Sequence, residues 1–154
     1  MKVVTFEHNG SQNFGALEGD RVIDLSSLFG SALHFFEAGP MAAEAARGAV
    51  AYALRSGEGV HGLKDVRLKA PIPNPRKVLC LAGNYADHIR EGGGEAPEKA
   101  VTTPRVFMKP PSTTVIGPEE AIVLPRNANK IDWECEIAAV IGRRARFVSS
   151  ENGL

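Results

Sequence analysis

Residues 2–7 (KVVTFE) alternate loosely between apolar and polar positions and are rich in β-formers, which predicts a strand. The stretch 14–25 (FGALEGDRVIDL) carries two short apolar runs on either side of Gly19–Asp20, a pair with hairpin-turn chemistry. Three short strands are therefore expected in this region. The period then changes. Residues 26–40 predict a short helix, with Ser26 or Ser27 as N-cap and Gly39–Pro40 as its stop. Residues 41–54 (MAAEAARGAVAYAL) have high helix propensity and set Ala43, Ala46, Val50 and Leu54 near one face. Beyond them the glycines, and Pro71, Pro73 and Pro75, mark an extended linker. A boundary near residue 70 divides the chain into an N-terminal domain, 1–70, and a second unit, 71–154.

The second unit opens on KVLCLAGN (77–84), a continuous apolar run that predicts a buried strand. YADHIREGGG follows as one or two helical turns stopped by Gly92–Gly93–Gly94, and EAPEKAVTTP as a polar, mobile loop. RVFMKPP predicts a short strand ended by Pro110–Pro111. Two short strands are expected around Gly117–Pro118, and IAAVIG (137–142) reads as another buried strand. Ser149 or Ser150 starts a helix as its N-cap. The fold class expected is α/β in the broad sense, more closely α+β and strand-rich. IAAVIG is apolar on both faces and needs neighbours on both, so the chain is expected to be the N-terminal part of a longer protein.

Composition changes this picture only by exclusion. The 154 residues are 44% hydrophobic and 23% charged, with formal net charge 0, which is ordinary for a globular protein. Nothing suggests a basic nucleic-acid surface or a polybasic membrane anchor. No apolar run approaches the roughly 18–20 residues that span a bilayer. Glu7, His8 and Asn9 interrupt any signal-peptide core at the N-terminus. Cys80 and Cys135 both sit in apolar runs and read as buried free thiols in a reducing cytoplasm rather than as zinc ligands.

Three groups of residues could carry chemistry. On a strand, Asp132, Glu134 and Glu136 share one face, roughly 6–7 Å apart by the strand rise. Buried, such acids need a hard cation such as Mg²⁺; on an edge strand they simply face solvent. His88 and Glu91 are spaced i, i+3. On a helical turn the carboxylate can orient the imidazole as a general base, or the two are a surface pair beside Arg90. Lys109 ends a short strand before two prolines, where its ammonium is aimed at a substrate carboxylate or oxyanion, or is solvated.

Taken in order, KVLCLAGNYADHIRE, PRVFMKPPSTTVIGPEEAIVLP and IDWECEIAAVIGRRARFVS closely resemble the fumarylacetoacetate hydrolase family from about residue 72 to 150. The N-terminal stretch resembles the small leading domain of its bacterial two-domain members. The resemblance implies an N-terminal α+β domain followed by the first part of a mixed β-sandwich roll, the barrel-like catalytic domain. It also implies a homodimeric enzyme acting on a diketo or enol acid with Mg²⁺ or Mn²⁺, in the cytoplasm that the free thiols suggest. The chemistry implied is hydrolysis of an acylpyruvate at a C–C bond, or isomerisation or decarboxylation of a hydroxydienoate. The family's Glu-x-Glu metal pair matches Glu134 and Glu136, its His–Glu pair matches His88 and Glu91, and the lysine of its Phe-x-Lys-Pro stretch matches Lys109. Asp132 matches no ligand position. The family's third ligand, an Asp, lies further along than residue 154, so an incomplete catalytic domain, inactive alone, is expected. Gly92–Gly94 are expected to hinge a lid.

Overall fold

The computed structural model describes residues 1–153. Its contacts gather into two units, Met1–Pro73 together with the chain from Ile116 onward, and Asn74–Val115. The structure is of mixed α+β class.

In the first unit, β1 (Lys2–His8), β2 (Ser11–Glu18) and β3 (Arg21–Asp24) form an antiparallel meander. Asn9 and Gly10 join the first pair at φ 50° and 75°, the positive values that a tight hairpin turn demands and that this residue pair accepts. Gly19 joins the second at φ 64°. The linker expected over 55–77 supplies both outer strands instead. β4 (Val60–Gly62) pairs with β3 and β5 (Arg67–Leu68) with β1, giving the order β4-β3-β2-β1-β5. Two- and three-residue strands are too short to show a period, so the sequence pattern hides them. The sheet curls: His61 of β4 lies 6.0 Å from the Phe6 ring and 4.2 Å from the His8 ring of β1, although two strands separate β4 from β1 in the ladder.

These rings meet on one face of the sheet; the other face, which carries Phe14, Ala16 and Ile23, packs against α1 (Ser26–Phe29), α2 (Ala32–Glu37) and α3 (Pro40–Ser56). Ser26 does not cap α1: its hydroxyl accepts the Phe14 N–H at 2.9 Å, and the preceding Leu25 is the cap residue. Ser31 caps α2, its hydroxyl accepting the His34 N–H at 3.2 Å. Pro40 opens α3 rather than ending a helix, since its fixed φ and missing N–H suit the first helical turn. The buried face of α3 is Ala42, Ala46, Val50 and Ala53, with Ala43 and Leu54 only packed along its margin. Phe14 and Phe35 meet across this core at 5.4 Å between ring centroids. Phe6, Phe14, Val22 and Ile23 are wholly buried, each worth about 1.5–3 kcal/mol of transfer free energy.

The second unit is a two-stranded antiparallel ladder of β6 (Val78–Ala82) and β7 (Arg105–Lys109), with α4 (Ala86–Glu91) and a loop between them. The strands stand where the sequence predicts them, but β6 is not buried: Leu79 and Leu81 are exposed, because a lone pair of strands offers no second layer. After α5 (Pro111–Thr114), the strands expected around Gly117–Pro118 and at 137–142 do not form. Ile122, Val123, Ile137 and Ile141 are exposed. An extended run becomes a strand only when a neighbour accepts its N–H and C=O groups, and no described strand lies against these residues. Cys135 is exposed too, and Cys80 partly so, so neither thiol is buried as expected. Ser149 precedes one short turn, Ser150–Asn152.

Gly15, in the middle of β2, is a point of close approach, where a Cβ would fall against the Ile23 carbonyl oxygen and 3.0 Å from the Phe6 ring. Gly48, exposed on α3, has nothing within 4 Å of that position. Gly15→Ala should lower the unfolding free energy by about 1–3 kcal/mol, and Gly48→Ala should raise it by up to about 1 kcal/mol, both read by urea denaturation.

Candidate active site

α4 is built from six residues, ADHIRE, between a non-helical Tyr85 and a Gly92 cap. Asp87 in its first turn suits the positive end of the helix, and Arg90 in its last turn the negative end. Gly93, at φ 77°, turns the chain out of the helix. The i, i+3 spacing makes two parallel pairs. Arg90 binds Asp87 at 2.6 Å, and His88 Nδ1 faces Glu91 Oε2 at 3.8 Å. Arg90 is thus held by Asp87, and Glu91 stands beside the imidazole. The His88 and Glu91 side chains are 60% and 78% exposed, open to water or to a ligand. A distance of 3.8 Å is an ion-pair contact for a charged ring and longer than a hydrogen bond. Catalytic pairs often tighten only around substrate.

Lys109 is exposed at the end of β7, where Pro110 and Pro111 fix the backbone as expected. Ladder register places it opposite Val78, while Ala82, four residues on and roughly 13 Å along the strand, leads to α4. The ladder therefore sets Lys109 at the other end from the turn that begins the path to His88.

Glu134 and Glu136 lie in the first unit, on exposed chain without secondary structure. Asp132 accepts the Trp133 N–H at 2.8 Å, a local bond to its own backbone. Among the described residues no group of three or more His, Cys, Asp or Glu side chains converges to hold a metal ion. The Glu134 and Glu136 carboxylates are hard oxygen donors, and Mg²⁺ is commonly held by one or two of these with water and substrate oxygens completing its shell. As a donor pair they fit such an ion.

One charged cluster was not foreseen in the sequence. Glu120 accepts from Lys69 Nζ with one carboxylate oxygen, and from the Gly117 N–H at 2.9 Å with the other; Arg67 lies 3.9 Å away. Gly117 makes this possible, since a Cβ there would lie 3.0 Å from the Lys69 Cα. The bond from Lys69 and the Gly117 N–H hold the Glu120 carboxyl below the usual glutamate range, with partial burial opposing them and the charges of Lys69 and Arg67 assisting. No motif announces this clamp, because its partners are about 50 residues apart.

Comparison with known proteins adds a family. Residues 77–154 match the model described as fumarylacetoacetate (FAA) hydrolase, C-terminal. An uncharacterised protein of Pyrococcus abyssi is 49% identical over 77 residues, covering 50% of this chain and 32% of its own length. The mitochondrial oxaloacetate tautomerase FAHD2A of Bos taurus is 33% identical over 162 residues, covering all of this chain and 49% of its own, and the Xenopus laevis fahd2 protein is 30% identical over a similar span. The chain thus spans about half the length, or less, of these relatives. Among solved structures, maleylpyruvate hydrolase from Sphingobium sp. SYK-6, in complex with manganese(II) and pyruvate, is similar at TM-score 0.49 and 24% identity, over 73% of this chain and 38% of that one. Among the described residues no helix is long and apolar enough to cross a membrane.

A lowered carboxyl adds stability that is complete above the ordinary glutamate range and is lost as pH falls through the lowered value. The Gly117 amide resonance should therefore titrate with a midpoint below the ordinary glutamate range, and Glu120→Gln should abolish that titration, as read by ¹H–¹⁵N NMR between neutral pH and pH about 2.

Proposed function

Because this chain belongs to the fumarylacetoacetate hydrolase family, we propose that it forms part of an enzyme acting on a 1,3-diketo acid or its enol, with His88 as the group that moves the proton. The observation that carries this reading is the His88–Glu91 pair on one side of α4. If the pair tightens around substrate, so that Glu91 accepts the Nδ1–H, Nε2 is left as the base. In acylpyruvate cleavage His88 takes a proton from water as hydroxide adds to the distal carbonyl. The C–C bond then breaks, its electron pair passes into a pyruvate-type enolate, and the proton returns from His88 to that enolate's carbon. Lys109 offers its ammonium to a substrate carboxylate. Glu134 and Glu136 would hold Mg²⁺ or Mn²⁺, which supplies Lewis-acid polarisation of the 2-oxo acid end when bound.

A second reading is favoured by the relatives that match the whole chain, which are named oxaloacetate tautomerases. The same pair would take a proton from carbon and return it to oxygen, with no water consumed. The two readings part in ¹⁸O-labelled water: hydrolysis places the label in the released carboxylic acid, while tautomerisation releases no acid.

In the protein assayed on an acylpyruvate and on oxaloacetate with Mn²⁺, His88→Ala should lower turnover by about 10²–10⁴-fold. Unchanged turnover on both substrates would remove His88 from the mechanism. Mn²⁺ binding, followed by electron paramagnetic resonance of the free ion, should be near normal in His88→Ala and weakened in Glu134→Gln and Glu136→Gln.

A further inference from the structure

The second unit holds a cleft of about 300 Å³ at the end of the β6–β7 ladder, at the small end of the range for ligand pockets. Leu81 and Ile89 give it apolar walls, and Arg105 and Lys99 bring two cations to it. Arg105 stands on β7 opposite Ala82, so its backbone is held by the ladder. Its guanidinium reaches over Gly83, 3.5 Å from where a Cβ would stand on that residue. Lys99 Nζ donates to Asn84 Oδ1 at 3.3 Å. Neither cation forms a salt bridge among the described residues, and Glu95, which lines the same cleft, stays outside ion-pair distance of both. Two cations against one carboxylate leave one positive charge beside an apolar wall.

We propose that this cleft is a binding site for a short-chain monocarboxylate. The planar fork of Arg105 matches a carboxylate with two parallel N–H donors. Lys99 adds a second cation from the loop, and the alkyl chain lies on Leu81 and Ile89. A dianion would exceed the net charge present, and a neutral molecule would forgo the charge-assisted pair with the guanidinium. The helix α4 sends Ala86 and Ile89 into the cleft, while His88 and Glu91 are not among its lining residues. The site is therefore distinct from the pair that moves the proton, yet shares its helix. An occupant would hold α4, and through it the pair, in one position.

The test is a titration of the metal-free full chain with butyrate, followed by NMR at the Ile89 δ-methyl and the Arg105 Nε–H. Saturable shifts at both are expected, with no saturable shift from butyramide, which has the same shape without the charge. Arg105→Gln should raise the Kd for butyrate about tenfold, the loss of one charge-assisted bond. If that variant loses the amide pattern of the β6–β7 ladder, Lys99→Gln, a loop change, carries the test and should weaken binding in the same direction. The proposal is overturned if butyrate gives no saturable shift, if butyramide binds equally well, if inorganic phosphate binds more tightly than butyrate, or if the folded variant binds as the parent does. None of these outcomes depends on turnover.

Discussion

The first unit depends on how closely α3 can lie on a curled sheet. Three of the four buried side chains of that helix are alanine, and the fourth is valine. Side chains this small let the helix backbone approach the strands. The remaining space is filled by Phe14 from β2 and by Phe29, Phe35 and Phe36 from the two short helices. Gly15 is approached closely by the Phe6 ring on the opposite face, and Thr5 is buried beside Phe14. The Thr5 hydroxyl donates to the Pro71 carbonyl at 2.8 Å and the Lys69 N–H donates to the Thr5 carbonyl at 2.8 Å. These bonds carry the chain past β5 along the sheet edge. The segment that holds Glu120 then closes over Lys69.

Where structure was local, the sequence disclosed it. The turn at Gly19, the three leading strands, the helix over 41–54, the single short helix stopped by Gly92 and the strand before Pro110 all rest on interactions within a few residues of each other. Where structure needed a distant partner, the pattern misled. β4 and β5 were concealed because strands this short take their shape from the neighbour that binds them. The runs around Gly117–Pro118 and over 137–142 have the composition of strands but no ladder, so composition alone over-read them.

The same division holds for the chemistry. His88 and Glu91 were legible because helical spacing is a local rule, and the structure brings them together with Arg90 drawn off to Asp87. The alternation argument for Glu134 and Glu136 presumed a strand, and their stretch forms none. The proposal that they hold a metal rests on donor chemistry and on the family resemblance of their Glu-x-Glu spacing. Arg105, Lys99 and Asn84 were invisible in the sequence, since only the register of two strands and the fold of a loop put them beside one cleft.

The ladder of β6 and β7 has a thermodynamic consequence. It is two strands wide, with Leu79, Val106 and Met108 exposed, and such a ladder holds little free energy against opening. The six residues of α4 are too few to be helical alone. In hydrogen exchange this part of the chain would open as one cooperative group, at lower cost than the sheet around Phe6 and Phe14. His88 and Glu91 thus stand on a part of the molecule that yields before the five-stranded sheet does, and whatever binds beside α4 favours their ordered arrangement.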